Sequence, residues 1–332
     1  MKGLKECGMR RFVAFAVLAA LGGATAALAI VNGTVDTVHN YVGAAIIPNV
    51  FGLTGFTGGN GFVWCSGTLV APRVFLTAAH CLQPFGHYVS LGQVLVTFDA
   101  TNISAPPPDA RQVSSIVIMP GFQALPQGEL PDPNDLGVII LAQPVHNITP
   151  VRLAPIGFLD SFPGLSKTTV SLIGYGLNEQ LVLTGNRLIG TANFVNLSDT
   201  WFKYSPGTCT FDDGGPTLLV DGPTEYQIGF HSTITSDTGH GTVVDGCGRN
   251  GYDTRVDTAA AESLISATDY CEHVDFKPSP GGNSVARARN SGLLGILAYS
   301  QAKLAKRRIR CQTGKLRTGK IRWFSTNEEA RC

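Results

Sequence analysis

One histidine of this 332-residue chain stands in a sequence setting that suits catalysis. His80 is followed directly by Cys81, and a second cysteine, Cys65, stands shortly before it. Cysteines placed in this way suit a disulfide clamp that holds the imidazole on a short, rigid turn. A fixed imidazole can accept and return protons near neutral pH, so His80 is a candidate general base, whereas a histidine without such neighbours is more often structural.

A carboxylate and a glycine-rich loop follow further along the chain. Asp135 stands at the head of the apolar segment 136–141, where its carboxylate can accept a hydrogen bond from the imidazole and fix the tautomer of the ring. Without that histidine, Asp135 would be an ordinary turn or strand-edge residue. Residues 209–216 read Cys-Thr-Phe-Asp-Asp-Gly-Gly-Pro, which predicts a tight loop followed by a strand.

The elements that must position these side chains are short strands. Alternating and β-branched residues recur in five segments: 94–98, 113–119, 137–141, 169–173 and 227–231. Clusters of Gly, Pro, Asn and Asp separate them, and the first convincing helix is a short one near residues 259–267. This pattern predicts an all-β fold of barrel or sandwich type.

The three chemistry-bearing segments, in this order, resemble the trypsin/chymotrypsin family of serine proteases. Four other segments are similar to landmarks of that family: residues 30–33 to the mature N-terminus, 174–176 to the start of the second barrel, 229–232 to the substrate-pairing strand and 251–256 to the pocket wall. The resemblance implies two six-stranded antiparallel β-barrels with the active site in the cleft between them. It also implies two disulfide bonds: Cys65 with Cys81, and Cys209 with Cys247.

The resemblance divides residues 30–270 into an N-terminal barrel (about 30–148), a C-terminal barrel (about 149–257) and a terminal helix (about 258–268). Residues 1–29 predict a secretion signal, with a basic start, an apolar stretch and an Ala-Leu-Ala cleavage site. The alternative for this segment is an uncleaved membrane anchor. We expect a secreted protein, extracellular or periplasmic, in a compartment where disulfides form.

Cleavage after residue 29 would produce a free amine on Ile30. In the resembled family such an amine enters the second barrel and pairs with the Asp before the nucleophile, which orders the pocket and the oxyanion loop. The matching carboxylate in this chain is Asp212. The resemblance therefore predicts an activation pair between Ile30 and Asp212.

The nucleophile loop departs from the family pattern Gly-Asp-Ser-Gly-Gly-Pro. Asp213 stands at the position of the nucleophilic serine, and Phe211 replaces the glycine of the oxyanion loop. A carboxylate has no proton for His80 to remove, and its charge opposes the oxyanion that must develop beside it. Phe211 also resists a backbone conformation that glycine adopts freely. We therefore predict that peptidase activity is lost.

Two further predictions concern the cleft. His80 would lie between the carboxylates of Asp135 and Asp213, so we expect its pKa to be above the ordinary value of about 6.5. The specificity pocket is expected to include Gly207, Ser232 and Gly251. An uncharged Gly207 at its floor does not favour Lys or Arg, so an apolar or small side chain would fit better.

Charge is divided unevenly along the chain. Residues 30–271 carry 8 basic and 19 acidic residues, whereas residues 272–332 carry 13 basic and 4 acidic ones. The acidic body argues against nucleic-acid binding. We expect residues 271–332 to form a linker (278–283) and a disordered basic tail; contact of this tail with anionic surfaces, or with the acidic body, stays an open alternative.

These observations favour a secreted, non-catalytic homologue of serine proteases that acts as a peptide- or protein-binding or regulatory module. The alternative is an active serine endopeptidase of the same family with non-tryptic specificity. A third hypothesis is a binder of anionic surfaces that acts through the tail. We expect no cofactor and no metal, because no residues besides His80, Asp135 and Asp213 stand at metal-ligand spacing. The sequence carries no indication of the oligomeric state.

Overall fold

The computed structural model describes residues 30–31, 33–48, 61–101, 103, 107–123, 130–178, 181–235, 246–272, 274–277 and 285–288. The strands of the first half are β1 (Thr34–Val35), β2 (Val42–Pro48), β3 (Gly61–Ala71), β4 (Val74–Thr77), β5 (Leu95–Thr97), β6 (Arg111–Ile118) and β7 (Gly137–Leu141). Strands β2 to β7 close into an antiparallel barrel in the order β2, β3, β4, β7, β6, β5. Alternate side chains point inward because successive residues of a strand face opposite sides, and Leu69, Phe75 and Ile139 fill the interior.

A second barrel follows. Its strands are β8 (Thr169–Gly174), β9 (Leu188–Leu197), β10 (Trp201–Ser205), β11 (Pro216–Asp221), β12 (Thr224–Thr235) and β13 (Asn250–Arg255). They run in the order β9, β10, β13, β12, β11, β8, and pairing of β8 with β9 closes the ring. The predicted fold of two six-stranded antiparallel barrels is therefore confirmed.

The helices are few and short. They are α1 (Ala79–Leu82), α2 (Phe158–Ser161) and α3 (Ala259–Glu272), with single 3-10 turns at Leu91–Gln93 and Leu165–Lys167. Helix α3 is longer than the predicted segment 258–268 and packs Ala261 and Ile265 against Leu76 and Val138 of the first barrel. The helix that follows the last strand of the second barrel therefore packs on the first barrel.

The N-terminal segment also crosses between the barrels. Strand β1 pairs with β9 of the second barrel, although the sequence placed it in the N-terminal unit of residues 30–148. Just after β1, the buried guanidinium of Arg187 donates from Nε to Asp36 Oδ2 at 2.8 Å. The same guanidinium donates to the backbone oxygens of Val42 and Phe98 in the first barrel. One side chain therefore ties three parts of the chain together.

An apolar cluster joins the two barrels. It contains Ile46 and Val63 of the first barrel and Ile173, Tyr175 and Leu218 of the second. All five side chains are almost fully buried, and each fully buried large apolar side chain contributes about 1.5–3 kcal/mol. This shared core fixes the two walls of the cleft relative to each other.

The predicted signal segment and most of the basic tail lie outside the described residues. Within the segment for which the sequence predicts disorder, β14 (Val274–Lys277) pairs with β15 (Val285–Ala288) as a small antiparallel ladder. The alternating residues of Val-Asp-Phe-Lys explain this difference, because a two-residue period suits a strand. Among the described residues, none of the helices has both the length and the apolar character needed to cross a bilayer.

Candidate active site

His80 lies in the short helix α1, which is held from two sides. The disulfide between Cys65 and Cys81 ties the helix to β3, with a Cα–Cα distance of 6.2 Å. On the other side Gly137 leaves no room for a side chain, because a Cβ there would lie 2.6 Å from Leu82 Cδ1. The clamp that the sequence predicted around His80 is thus present, and a glycine lets β7 approach the helix closely.

Asp135 orients the imidazole by a pair of hydrogen bonds. Its Oδ1 accepts from the backbone N–H of His80 and its Oδ2 from the ring Nδ1, both at 2.9 Å. Ser232 of the second barrel donates its hydroxyl to the same Oδ2 at 2.5 Å. With Nδ1 donating to the carboxylate, Nε2 is the nitrogen that faces the cleft. The structure thus brings His80, Asp135 and Ser232 together.

Asp213 lies on the far side of the imidazole. Its Oδ2 is 4.0 Å from His80 Nε2, and its side chain is 23% exposed. Burial opposes a charge on the ring of His80, but the charge and hydrogen bond of Asp135, together with the charge of Asp213, outweigh it. They raise the pKa of His80 to about 9. The direction agrees with the prediction from the sequence, and the ring is mainly a cation at neutral pH.

The loop that presents Asp213 is fixed through its backbone. The Asp213 carbonyl accepts from Ser66 N–H at 2.9 Å, and Gly214 N–H donates to the His231 carbonyl at 2.7 Å. Phe211 has a φ of +74°, in the left-handed region that glycine favours, and its carbonyl accepts from the Ser66 hydroxyl. A non-glycine residue in this region costs about 1–2 kcal/mol. The loop keeps the glycine-type conformation in spite of this strain.

The carboxylate of Asp213 turns back onto its own loop. Burial is the largest influence and raises the pKa of Asp213, against the attraction of the His80 and His231 rings and a smaller influence of the Phe211 backbone. The carboxyl thus stands close to the backbone of the residue predicted to form part of the oxyanion hole.

The predicted activation pair lies on the second barrel. Ile30 is 1% exposed and packs at Gly190 of β9, whereas Asp212 packs at Gly174 of β8. Gly190 pairs with Leu172, two residues from Gly174, so both contacts fall on one face of the β8–β9 ladder. This places the two residues in the same region of the barrel.

The Asp212 carboxylate accepts from the backbone N–H of Gly176 at 2.7 Å and of Cys209 at 2.9 Å. Burial is the main influence on this group and raises its pKa to about 7, against the hydrogen bonds and the charge of His231. A fully buried carboxyl with a raised pKa is one that gains from a cationic partner.

The residues predicted for the specificity pocket are tightly packed. Gly207 donates its N–H to Gly248 at 3.1 Å, and a Cβ at Gly207 would lie 2.7 Å from the backbone of Asn250. Gly251 lies against the ring of Tyr204, which also leaves no space for a side chain. Ser232, the third of these residues, is engaged by Asp135. The disulfide between Cys209 and Cys247, also predicted, closes this region.

A second histidine–aspartate pair lies behind the loop and was missed by the sequence analysis. His231 is 1% exposed, and its Nδ1 is 3.1 Å from Asp253 Oδ1 and 3.1 Å from the Tyr204 hydroxyl. Thr217 donates to the other oxygen of Asp253. Burial opposes charge on this ring, but Asp253, Asp212 and Asp213 outweigh it and raise the pKa of His231. The available signal was a histidine inside an apolar strand segment, beside Ser232.

Known proteins match the same part of the chain. The family model described as Trypsin matches residues 47–260, which span nearly all strands of both barrels. A protein named Trypsin from Saccharopolyspora erythraea is 26% identical over 180 residues, covering 48% of this chain and 72% of the relative. The family-model match includes the segments that carry His80, Asp135 and Asp213. With its two closed barrels and the His80–Asp135–Ser232 arrangement in the cleft, the chain belongs to the trypsin family.

Proposed function

We propose that this protein is a non-catalytic member of the trypsin family that is exported and acts by binding a peptide or protein. The observation that carries the proposal is the position of the Asp213 carboxylate. It lies 4.0 Å from His80 Nε2, at the position predicted for the nucleophile. One carboxylate thus stands beside the general base in the place of the attacking hydroxyl.

The chemistry of acyl transfer explains why this arrangement opposes catalysis. The attacking group must lose a proton to a neutral imidazole as it attacks, but Asp213 has no hydroxyl proton and His80 is mainly a cation at neutral pH. The charge of the carboxylate would also oppose the oxyanion that has to develop beside it. Losing one oxyanion donor costs roughly 10²–10³ in rate, and a missing nucleophile leaves only a small residual rate.

The retained frame supports a binding role. His80 is held by a disulfide, the Asp135 pair and Gly137, and its side chain remains 35% exposed to the cleft. The apolar core between the barrels keeps the two walls of the cleft in place. A rigid groove binds an extended peptide without a large ordering cost, because little of the groove has to be ordered on binding.

A fluorophosphonate probe and a casein digest test the loss of catalysis. We expect neither labelling nor cleavage with the full chain, and no difference between that chain and His80→Ala. Labelling of the parent, or casein cleavage that disappears in His80→Ala, would overturn the proposal and favour the active endopeptidase of non-tryptic specificity.

Binding is tested separately with a peptide selected from a displayed library on the immobilised protein. The selected peptide should bind the parent and lose affinity in His80→Ala, because His80 lies at the centre of the cleft. Val220→Ser is the matched control, since Val220 is 61% exposed on β11 of the second barrel. Equal loss in both variants would contradict binding in the cleft.

Export is supported by two disulfides within the described residues, which form and persist in oxidising compartments. The measurement is N-terminal sequencing of the protein recovered outside the cytoplasm. We expect it to begin at Ile30; a protein that stays in the cytoplasm with its first 29 residues would contradict this part of the proposal.

A further inference from the structure

We propose that the cleft binds a primary carboxamide, the side chain of an Asn or Gln in a peptide ligand, between the His80 imidazolium and the Asp213 carboxylate. The inference rests on the proposed function and deepens it, because it names the chemical group that the cleft recognises. It concerns the predicted nucleophile position and not the predicted specificity pocket, where Gly207 and Gly251 are tightly packed.

The two groups present one hydrogen-bond donor and one acceptor side by side. Burial opposes a charge on the ring of His80, but Asp135 and Asp213 outweigh it and raise the pKa of His80 to about 9. The ring therefore carries a proton on each nitrogen at neutral pH. Nδ1 donates to Asp135, so the Nε2 proton is the one directed at the cleft. The acceptor, Asp213 Oδ2, is 4.0 Å from Nε2, and the two side chains are 35% and 23% exposed.

The donor and the acceptor do not satisfy each other. A hydrogen bond between nitrogen and oxygen joins atoms about 2.7–3.2 Å apart, so 4.0 Å is too long for one. Cys81 Sγ is 3.6 Å from Nε2, but this sulfur is bonded to Cys65 and is a weak acceptor. In the part of the chain that the structure describes, the Nε2 proton thus has no strong acceptor. A ligand group that accepts this proton and donates to the carboxylate would satisfy both side chains.

A primary carboxamide has the matching shape. Its oxygen and one of its N–H groups lie along one edge of a planar group, with the oxygen and nitrogen roughly 2.3 Å apart. Two hydrogen bonds of about 2.9 Å reach from this edge to atoms 4.0 Å apart with only a small splay. A backbone peptide group cannot do the same, because the C=O and N–H of a trans peptide point in opposite directions. The pair therefore selects an Asn or Gln side chain over the main chain of the ligand.

The charges of the pair disfavour ionised side chains of either sign. A Glu or Asp of the ligand would accept from His80 but would face the like charge of Asp213. A Lys or Arg of the ligand would face the like charge of His80 instead. An uncharged group that both donates and accepts avoids each repulsion, and its two hydrogen bonds are strengthened by the charges of its partners. The pair thus discriminates by repulsion as well as by attraction.

The probes are pools of six-residue peptides with acetyl and N-methylamide ends, which carry no charge and no primary amide. Each pool has one fixed residue (Gln, Asn, Glu, Lys or Met), and the other positions vary among uncharged residues without a carboxamide. Retention on the immobilised full chain is measured at pH 7. We expect the Gln or the Asn pool to bind at least about 10-fold more tightly than the Glu, Lys and Met pools. Equal retention of all pools would overturn this inference and leave peptide binding standing, whereas a chain that retains no pool would also contradict the proposed function.

Two variants separate recognition from a structural effect, because each removes one charge of the pair. Asp213→Asn leaves the His80 cation, so the Glu pool should gain at least about 10-fold relative to the Gln pool. His80→Ala leaves the Asp213 carboxylate, so the Lys pool should gain by a similar factor. Near-UV circular dichroism checks the fold of both, and Val220→Ser, on the exposed face of β11, should keep the order of the parent. Folded variants that weaken all pools alike would overturn the proposal.

Discussion

The two sides of the His80 imidazole differ in chemistry. On one side His80, Asp135 and Ser232 form a connected set, with each polar contact between 2.5 and 2.9 Å. On the other side the loop 211–215 keeps its backbone hydrogen bonds, while Asp213 and Phe211 change what the loop can do. The loop is therefore held through its backbone and not through the side chains at positions 211 and 213.

This difference shows which forces hold the loop. Ser66, His231 and the disulfide at Cys209 all act on backbone or sulfur atoms, so they do not depend on the identity of residue 213. Phe211 even takes the positive φ that its own side chain disfavours. Tertiary contacts therefore fix the conformation and impose the strain on the residue that occupies the position.

The largest expected effect is a gain of reactivity on the altered side. Phe211→Gly with Asp213→Ser removes the carboxylate from His80 and relieves the positive φ at residue 211. We expect fluorophosphonate labelling and ester hydrolysis at least about 10³-fold above the parent, because the intact side already supplies the base. Asp213→Ser alone should gain less, since the strained Phe211 remains.

The control for this gain is Phe211→Gly with Asp213→Ala, which has the same loop without a hydroxyl. Equal hydrolysis by the serine and alanine variants would show that the gain is not nucleophilic. A folded serine variant that is never labelled would contradict the view that the His80 side is intact.

Removing each carboxylate in turn compares the two neighbours of His80. Asp135→Asn should lower the pKa of His80 by about one to three units, because a charge and a hydrogen bond at 2.9 Å are lost. Asp213→Asn should lower it less, since Asp213 Oδ2 is 4.0 Å away and partly exposed. An NMR titration of the His80 ring measures both shifts; a larger shift in Asp213→Asn would reverse the assignment.

The His80–Asp135 pair predicts that the stability of the fold depends on pH. The folded pKa of His80 is about 9 and its ordinary value is 6.5, so protonation stabilises the fold fully below pH 6.5. This contribution is lost as the pH rises through about 9. Denaturant unfolding from pH 6 to 10 should show the decline in the parent and a weaker one in Asp135→Asn.

A smaller effect is expected from the amine of Ile30. A chain that begins at Ile30 should unfold with a free energy about 1.5–3 kcal/mol higher at pH 7 than a chain that retains Ala29, because an ammonium would bind the buried Asp212 carboxylate. Such pairing lowers the pKa of Asp212, so the advantage falls as the pH drops through that lowered pKa. It also falls above the amine pKa of about 8.

Asp212→Asn tests whether this advantage comes from the pair. In that background the two chain starts should have equal stability, and denaturant unfolding at pH 7 measures the difference. An advantage of the Ile30 start that persists in Asp212→Asn would show that the amine has another partner.

The smallest expected effect concerns the strain at Phe211. Phe211→Gly and Phe211→Ala lose the same aromatic packing, but only glycine relieves the positive φ. The glycine variant should therefore be more stable than the alanine variant by about 1 kcal/mol, as measured by denaturant unfolding. Equal stability would show that the loop relaxes when the ring is removed.

Much of the site can be predicted from the sequence because its side chains and cysteines stand in short, specific segments. The Cys65–Cys81 and Cys209–Cys247 bonds were predicted through the family resemblance, and so were the two barrels. Strand β7 matches the prediction, because its apolar residues are bounded by a turn at one end. These features depend on local sequence and on a pattern shared across the family.

The features that sequence analysis missed depend on contacts between distant residues. His231 and Asp253 are 22 positions apart and meet only through pairing of β12 with β13. The crossing of β1 to β9 likewise joins Thr34 to Ile189, and no periodicity indicates it. The positive φ of Phe211 is a local feature, but the residue type disfavours it, so the sequence does not indicate it.

The crossing of the N-terminal segment also bears on how the chain matures. Strand β1 is paired with β9, and the Asp36 carboxylate accepts a hydrogen bond from Arg187. Because a chain is made from its first residue onward, the opening segment has to wait until residues 187–189 have emerged. The first half of the molecule cannot complete its contacts during early translation, so truncation between the two halves would leave an unfinished domain rather than a smaller stable one.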